Sequence, residues 1–164
     1  MSCSHCTRRR LLAFCAALLL LLALAGPSTR AAAFQKSFDV NVTFWNDGED
    51  TVAPASDGID PNRTATLTRQ ANGTYTLTLP IRSMQMLGMD CHLVGLTIGE
   101  IWYEGAVSGS FDSGSALLTI RNLPFSILTN GRADQAIDVV CSFEMDLSFL
   151  GELDADARLS VWAV

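Results

Sequence analysis

Histidine is almost absent from this chain, with 2 among 164 residues. His5 lies in the leader described below, so His92 stands alone in the remainder. One imidazole cannot build a His-rich metal centre, and a Ser/His/Asp triad would have to pair His92 with a serine that no motif marks. Beyond that leader no Cys-x-x-Cys pair occurs, the one at Cys3 and Cys6 lying within it, and the chain has no Gly-x-Ser-x-Gly elbow or phosphate-cradling glycine loop. Carboxylates are plentiful, but Asp138, Glu144 and Asp146 alternate with apolar residues along a strand, which turns them to solvent. The acidic stretch from Asp47 to Asp60 matches no calcium-loop spacing and reads as a solvated loop. Together these absences argue against an enzyme.

Basic residues are also few: 11 Lys and Arg against 17 Asp and Glu, a formal charge of −6. Four of the arginines, Arg8, Arg9, Arg10 and Arg30, fall in the first 33 residues, whereas every acidic residue falls after them. Nucleic acid and anionic membrane surfaces are poor partners for so acidic a chain. The early arginines precede an unbroken apolar run from Leu11 to Ala25, then Gly26-Pro27 and Ala31-Ala32-Ala33. That order of charged, apolar and small residues is expected of a secretory signal, residues 1–33, cleaved after Ala33. The run is too short for a comfortable membrane span. The expectation is a protein secreted or associated with the cell surface, made of one domain over residues 34–164.

Cysteine becomes scarce once the leader is set aside, since Cys3, Cys6 and Cys15 go with it and Cys91 and Cys141 remain. A pair in an exported chain is expected to form a disulfide; the other reading is two buried thiols, because spacing alone cannot show that the Cα atoms approach.

Short alternating runs dominate what is present. Phe38, Val40, Val42 and Phe44 share one side of a strand, and a polar loop follows, punctuated by Asp47-Gly48, Pro54, Asp57-Gly58 and Pro61. A strand from Thr64 to Arg69 meets Asn72-Gly73, a hairpin signal, and Tyr75, Leu77, Leu79 and Ile81 continue with period two. Alternation fails from Ser83 to Cys91, where Met86 and Met89 fall three apart, so a short helical turn is expected near 83–91. Further strands are read at His92 to Tyr103, Ala116 to Arg121, Phe125 to Leu128 and Arg158 to Trp162. Another runs from Ile137 to Met145 with Ile137, Val139, Cys141, Phe143 and Met145 on one face. The fold class is all-β, an immunoglobulin-like antiparallel β-sandwich of about seven to eight strands.

Phe44-Trp45-Asn46, then Ile59-Asp60-Pro61, Gly73-Thr74-Tyr75-Thr76-Leu77, Ile81-Arg82-Ser83-Met84 and Asp154-Ala155-Asp156-Ala157-Arg158, in that order and spacing, resemble the near-iron-transporter (NEAT) domains of Gram-positive bacterial surfaces. The resemblance implies a haem cleft between a lip loop and a late hairpin, and a place in a relay that passes haem between donor and acceptor proteins for iron acquisition. It also implies an iron-binding tyrosine on the hairpin. Here that strand reads Phe143-Glu144-Met145, and Tyr75 and Tyr103 are the only tyrosines. Val52-Ala53-Pro54-Ala55 likewise replaces the usual lip pair. The sequence is in this respect similar to the related streptococcal surface haem-binding family, in which two methionines ligate the iron. Carried over, the ligands are Met145 and Met84, with Met86 or Met89 as substitutes and His92 as runner-up; Phe143, Trp102 and Tyr103 would contact the porphyrin. Thioethers are neutral and soft, which suits ferrous haem and easy release by a carrier.

Each of these residues also has a plain structural role open to it. Methionine is an adaptable core filler, aromatic residues on strands usually pack, and a lone histidine after a turn is commonly a satisfied core or surface residue. The second functional reading is therefore a non-catalytic adhesion or protein-binding β-sandwich that binds no haem.

Overall fold

The computed structural model describes residues 36–145 and 151–164. The leader assigned to residues 1–33, and Asp146 with it, lie outside the described residues. Nine strands follow in chain order: β1 (Lys36–Trp45), β2 (Ala65–Arg69), β3 (Tyr75–Pro80), β4 (Met84–Met86), β5 (Met89–Ile98), β6 (Ile101–Ser108), β7 (Leu117–Leu123), β8 (Ile137–Met145) and β9 (Glu152–Ala163). They form one antiparallel sheet in the order β4-β5-β6-β7-β3-β2-β1-β9-β8, and β5 also pairs with β8, so the sheet folds back on itself as a closed, sandwich-like barrel. Closure removes most of the free edge that an open sheet would expose. Among the described residues, no helix is long and apolar enough to cross a membrane.

Period-two alternation places the core. Phe44, Leu67, Leu77, Leu79, Leu118 and Phe143 are fully buried, each on the inward side of its strand. Polar groups meet the ends of the sheet with their hydrogen bonds satisfied. The buried Ser160 hydroxyl donates to the Arg132 carbonyl (3.2 Å) and accepts the Trp45 indole N–H (3.0 Å). Arg158 donates to the Ala133 carbonyl (2.8 Å) and to Asn46 (3.2 Å), tying β9 to the loop after β1.

Several segments differ from the sequence expectations for local reasons. The region 83–91 is not a helical turn but a β-hairpin, with Met86 opposite Met89. Leu87 and Gly88 both take positive φ (54° and 79°), the backbone of a two-residue hairpin turn, which no right-handed helix accommodates. The stretch read as one strand from His92 to Tyr103 is two, β5 and β6, reversed at Gly99-Glu100 with Ile98 opposite Ile101. Phe125–Ile127 is a 3-10 turn after Pro124 that buries Ile127 and leaves Phe125 exposed. β9 begins well before Arg158, because Glu152 to Ala157 pair with β8 even though Glu152, Asp154 and Asp156 are acidic.

The disulfide expectation is also corrected. Cys91 pairs in register with Met145, whereas Cys141 pairs with Leu96. The two cysteines therefore lie about 13 Å apart along the same pair of strands, at roughly 3.3 Å per residue, far beyond disulfide reach. The structure has no bond between them, and both are fully buried.

Burial pushes the Cys141 thiol from 9.0 up to about 12. Below pH 9 this has no effect on stability; above it the unfolded chain loses the proton while the folded chain keeps it. Between pH 9 and 12 we expect this one thiol to remove up to about 1.4 kcal/mol of stability per pH unit, and urea melts of Cys141→Ala to lack that slope. At the hairpin tip, Leu87 is 78% exposed at a φ that disfavours leucine. Leu87→Asn should raise stability by roughly 0.5–1 kcal/mol in the same assay.

Candidate functional site

Residues directly opposite in an antiparallel pair point to the same side of the sheet. β5 has β4 along one edge of its first half and β8 along the other edge, so its register determines which residues face each other. Met84 lies opposite Cys91, and Cys91 lies opposite Met145, which makes one row across three strands. The neighbouring row, nearer the hairpin tip, holds Met86 opposite Met89. Since alternate residues on a strand share a face, all five sulfurs lie on the inner side of this corner of the barrel. Phe143 and Leu93 continue the same face one step deeper. Every methionine of the described residues is thus in two adjacent rows.

Burial grades along that face. Met84, Cys91 and Met145 are 8%, 0% and 5% exposed, whereas Met86 and Met89 are half-buried against the core. Over Met84 lies the 3-10 turn Pro54–Gly58, part of the loop that the sequence analysis reads as polar and solvated. A Cβ on Gly58 would come within 3.1 Å of the Met84 sulfur, so a side chain there would require the thioether to shift by a few tenths of an ångström. The turn is anchored on both sides. The Ser56 hydroxyl accepts from Phe44 N–H (2.9 Å) and donates to the Phe44 carbonyl (3.0 Å). From the other side Arg82 donates its side chain to the Asp57 carbonyl (2.6 Å) and its backbone N–H to Gly58 (2.9 Å).

The other candidate residues divide between the faces. Tyr103 pairs with the buried Leu96 and packs against the core. His92 and Trp102 are on the outer face. His92 lies 3.5 Å from the Glu144 carboxylate and its ring is 4.7 Å from that of Phe111 at a tilt of 49°, contacts made on the face opposite the sulfurs. Trp102 lies over Gly95 and leaves no room for a side chain there.

On this outer face an open groove of about 480 Å³ runs over Val94 between Trp102 on one side and Glu144 and Glu152 on the other. Glu104 adds a third carboxylate, and Met145 borders one end. The groove therefore brings together Trp102 and Met145 from the expected set, and leaves out Met84, Met86 and Met89. Sequence reading missed the carboxylates as groove-lining residues because each, taken alone, has the pattern of an ordinary solvent-facing position. The signal available was the acidic residue at every second position at the start of β9, Glu152, Asp154 and Asp156. Glu144 stands directly opposite Glu152, a like-charge pair that costs stability in a sheet. Among the described residues no cluster of three or more His, Cys, Asp and Glu is arranged to hold a metal ion.

No sequence family and no curated protein matches the chain. Solved structures do share its fold. The NEAT5 domain of IsdX2, a B. anthracis hemophore, in complex with heme, superposes with a TM-score of 0.50 at 8% identity, over 77% of this chain and 95% of that one. A mutant of the same domain, also in complex with heme, gives 0.50 at 7% identity over 77% and 94%. At such identities the likeness concerns the fold, and the fold is that of a NEAT domain.

The opposed glutamates give a direct test of the outer face. Glu152→Gln removes the repulsion with Glu144 and should stabilise the protein by about 0.2–1 kcal/mol at low salt, with the gain shrinking as salt is added. Thermal melts at two ionic strengths measure it.

Proposed function

We propose that this chain binds haem as an exported carrier, not as a catalyst, in the groove that Trp102 and Met145 border. The observation that carries the reading is a groove of about 480 Å³ walled by Trp102 and bordered at one end by Met145, the residue that ends the sulfur row on β8. The fold shared with a domain crystallised with heme supports the same reading.

Met84 and Met145 do not fit together as the two ligands of one haem. Met84 and Met145 point the same way from one continuous sheet, with their Cα atoms about 10 Å apart across β5, at roughly 4.8 Å per strand. A porphyrin gripped between both sulfurs would stand upright on that sheet. A methionine side chain is shorter than half a porphyrin's width, so the ring's lower edge would occupy the space of Cys91 and the β5 backbone. Met84 is moreover already capped by Gly58. Of the pair Met84 and Met145 implied by the resemblance, Met145 alone borders the groove, where Trp102 and Val94 would offer apolar contact to the ring. Phe143 and Tyr103 support this wall from the core side. The three carboxylates disfavour propionates inside the groove, so the propionates would face solvent.

When bound, haem would supply an iron that can be passed to an acceptor protein. A groove bordered by one neutral sulfur residue is a modest anchor for it. A relay at the cell surface is the setting in which modest affinity is useful, and it makes donor and acceptor proteins the partners.

A second reading, a protein-binding sandwich without haem, draws on the same groove: Trp102 is 43% exposed amid carboxylates, a surface suited to a basic partner. Titration with haem separates the two. The carrier takes up one equivalent with a Soret band distinct from free haem. Met145→Ala should weaken that uptake at least tenfold, while Met84→Ala should leave it unchanged. Haem absorbance identical with and without the folded protein would reject the carrier and leave the protein-binding reading.

A further inference from the structure

The sulfurs that cannot grip a porphyrin are well placed for something smaller. We infer that the row Met84, Cys91 and Met145, with Met89 in the adjacent row, is a binding site for a single soft monovalent cation, Cu(I) being the biological case.

Three observations carry this. The first is composition in space: all the methionines of the described residues and one of the two cysteines fall in two adjacent rows on one face, although the chain supplies them from β4, β5 and β8. Packing alone has no need of so many thioethers together, and leucine would specify the core better. The second is the donor chemistry. Thioether and thiol sulfur select Cu(I) over harder ions; among the described residues the next inward pair is Leu93 and Phe143, which offer no donor, and His92 turns to the opposite side. The third is the gradient of burial. Met84, Cys91 and Met145 are buried, while half-buried Met86 and Met89 lead toward the exposed hairpin tip at Leu87, giving an ion a route along successive sulfurs.

The site suits an ion because neighbouring side chains in one row need only lean together. Cα atoms about 4.8 Å apart on adjacent strands allow their sulfurs to converge on one point above Cys91, where no porphyrin could fit. Binding involves no redox step: Cu(I) enters and leaves as Cu(I). With Cys91 as a ligand, its thiol proton passes to solvent and the Cu–S bond that forms leaves a neutral complex, which avoids burying a net charge.

The inference stands apart from the haem reading, and one set of variants tests both separately. Anaerobic titration of the whole protein with Cu(I) against the chelator bicinchoninate should show one equivalent retained. Ag(I), a redox-inert probe, should shift the methyl signals of Met84 and Met145 in the NMR spectrum of protein labelled with 13C-methyl methionine. Met84→Leu, a substitution that cores usually tolerate, should weaken Cu(I) at least tenfold while leaving haem uptake as in the parent. Met145→Leu should weaken both, and Cys141→Ala, four residues along β8 from Met145, should change neither. Complete loss of copper to the chelator by the unaltered protein, no methyl shift with Ag(I), or undiminished Cu(I) binding by the folded Met84→Leu, Met145→Leu double variant would each overturn the assignment.

Discussion

The register of β5 between β4 and β8 is the constraint on which everything else depends. A slip of one residue on either side would turn Met84 or Met145 to solvent and bring charged residues into the core. The register is held by hydrophobic alternation: Cys91, Leu93 and Leu96 point inward on β5, and Val139, Cys141, Phe143 and Met145 on β8, all of them nearly or fully buried. A bulge at Val94, between Leu93 and Gly95, absorbs the one place where the two strands fall out of step. That same irregularity forms the floor of the outer groove, so the inner sulfur row and the outer surface share one structural cause.

Around this corner the fold keeps rigid what borders the site. The 3-10 turn Pro54–Gly58 is joined to β1 through Ser56 and to the segment before β4 through Arg82, and its one close approach to a sulfur is made by a glycine. The tip at Leu87-Gly88, by contrast, extends into solvent with a leucine in a conformation it disfavours. A firm cap over Met84 beside an exposed tip near Met86 and Met89 makes the hairpin the natural side of approach for a small ion. It makes Met145, at the other end of the row, the natural contact for a larger ring.

Much of this was legible in the sequence where alternation is strong. β1, β2, β3 and β8 and the inward set on β8 follow from period two, and the resemblance to NEAT domains matches the fold. Reading failed where a local turn overrode the pattern. Met86 and Met89, three apart, suit a helical face equally well until the positive φ of Leu87 and Gly88 decides for a hairpin. The disulfide failed because two cysteines after a leader-like segment suggest a bond, while register, which spacing does not reveal, sets them four residues out of step. The outer groove was illegible because it is assembled from β5, β6, β8 and β9, and no one segment signals it.

The claim that Met84, Cys91 and Met145 form one inward row is tested most directly by nuclear Overhauser spectroscopy on protein carrying 13C-methyl methionine. The account predicts cross-peaks from the methyls of both Met84 and Met145 to the β-protons of Cys91, and from Met86 to Met89. A Met145 methyl with contacts only to solvent or to the outer-face residues His92 and Trp102 would contradict it.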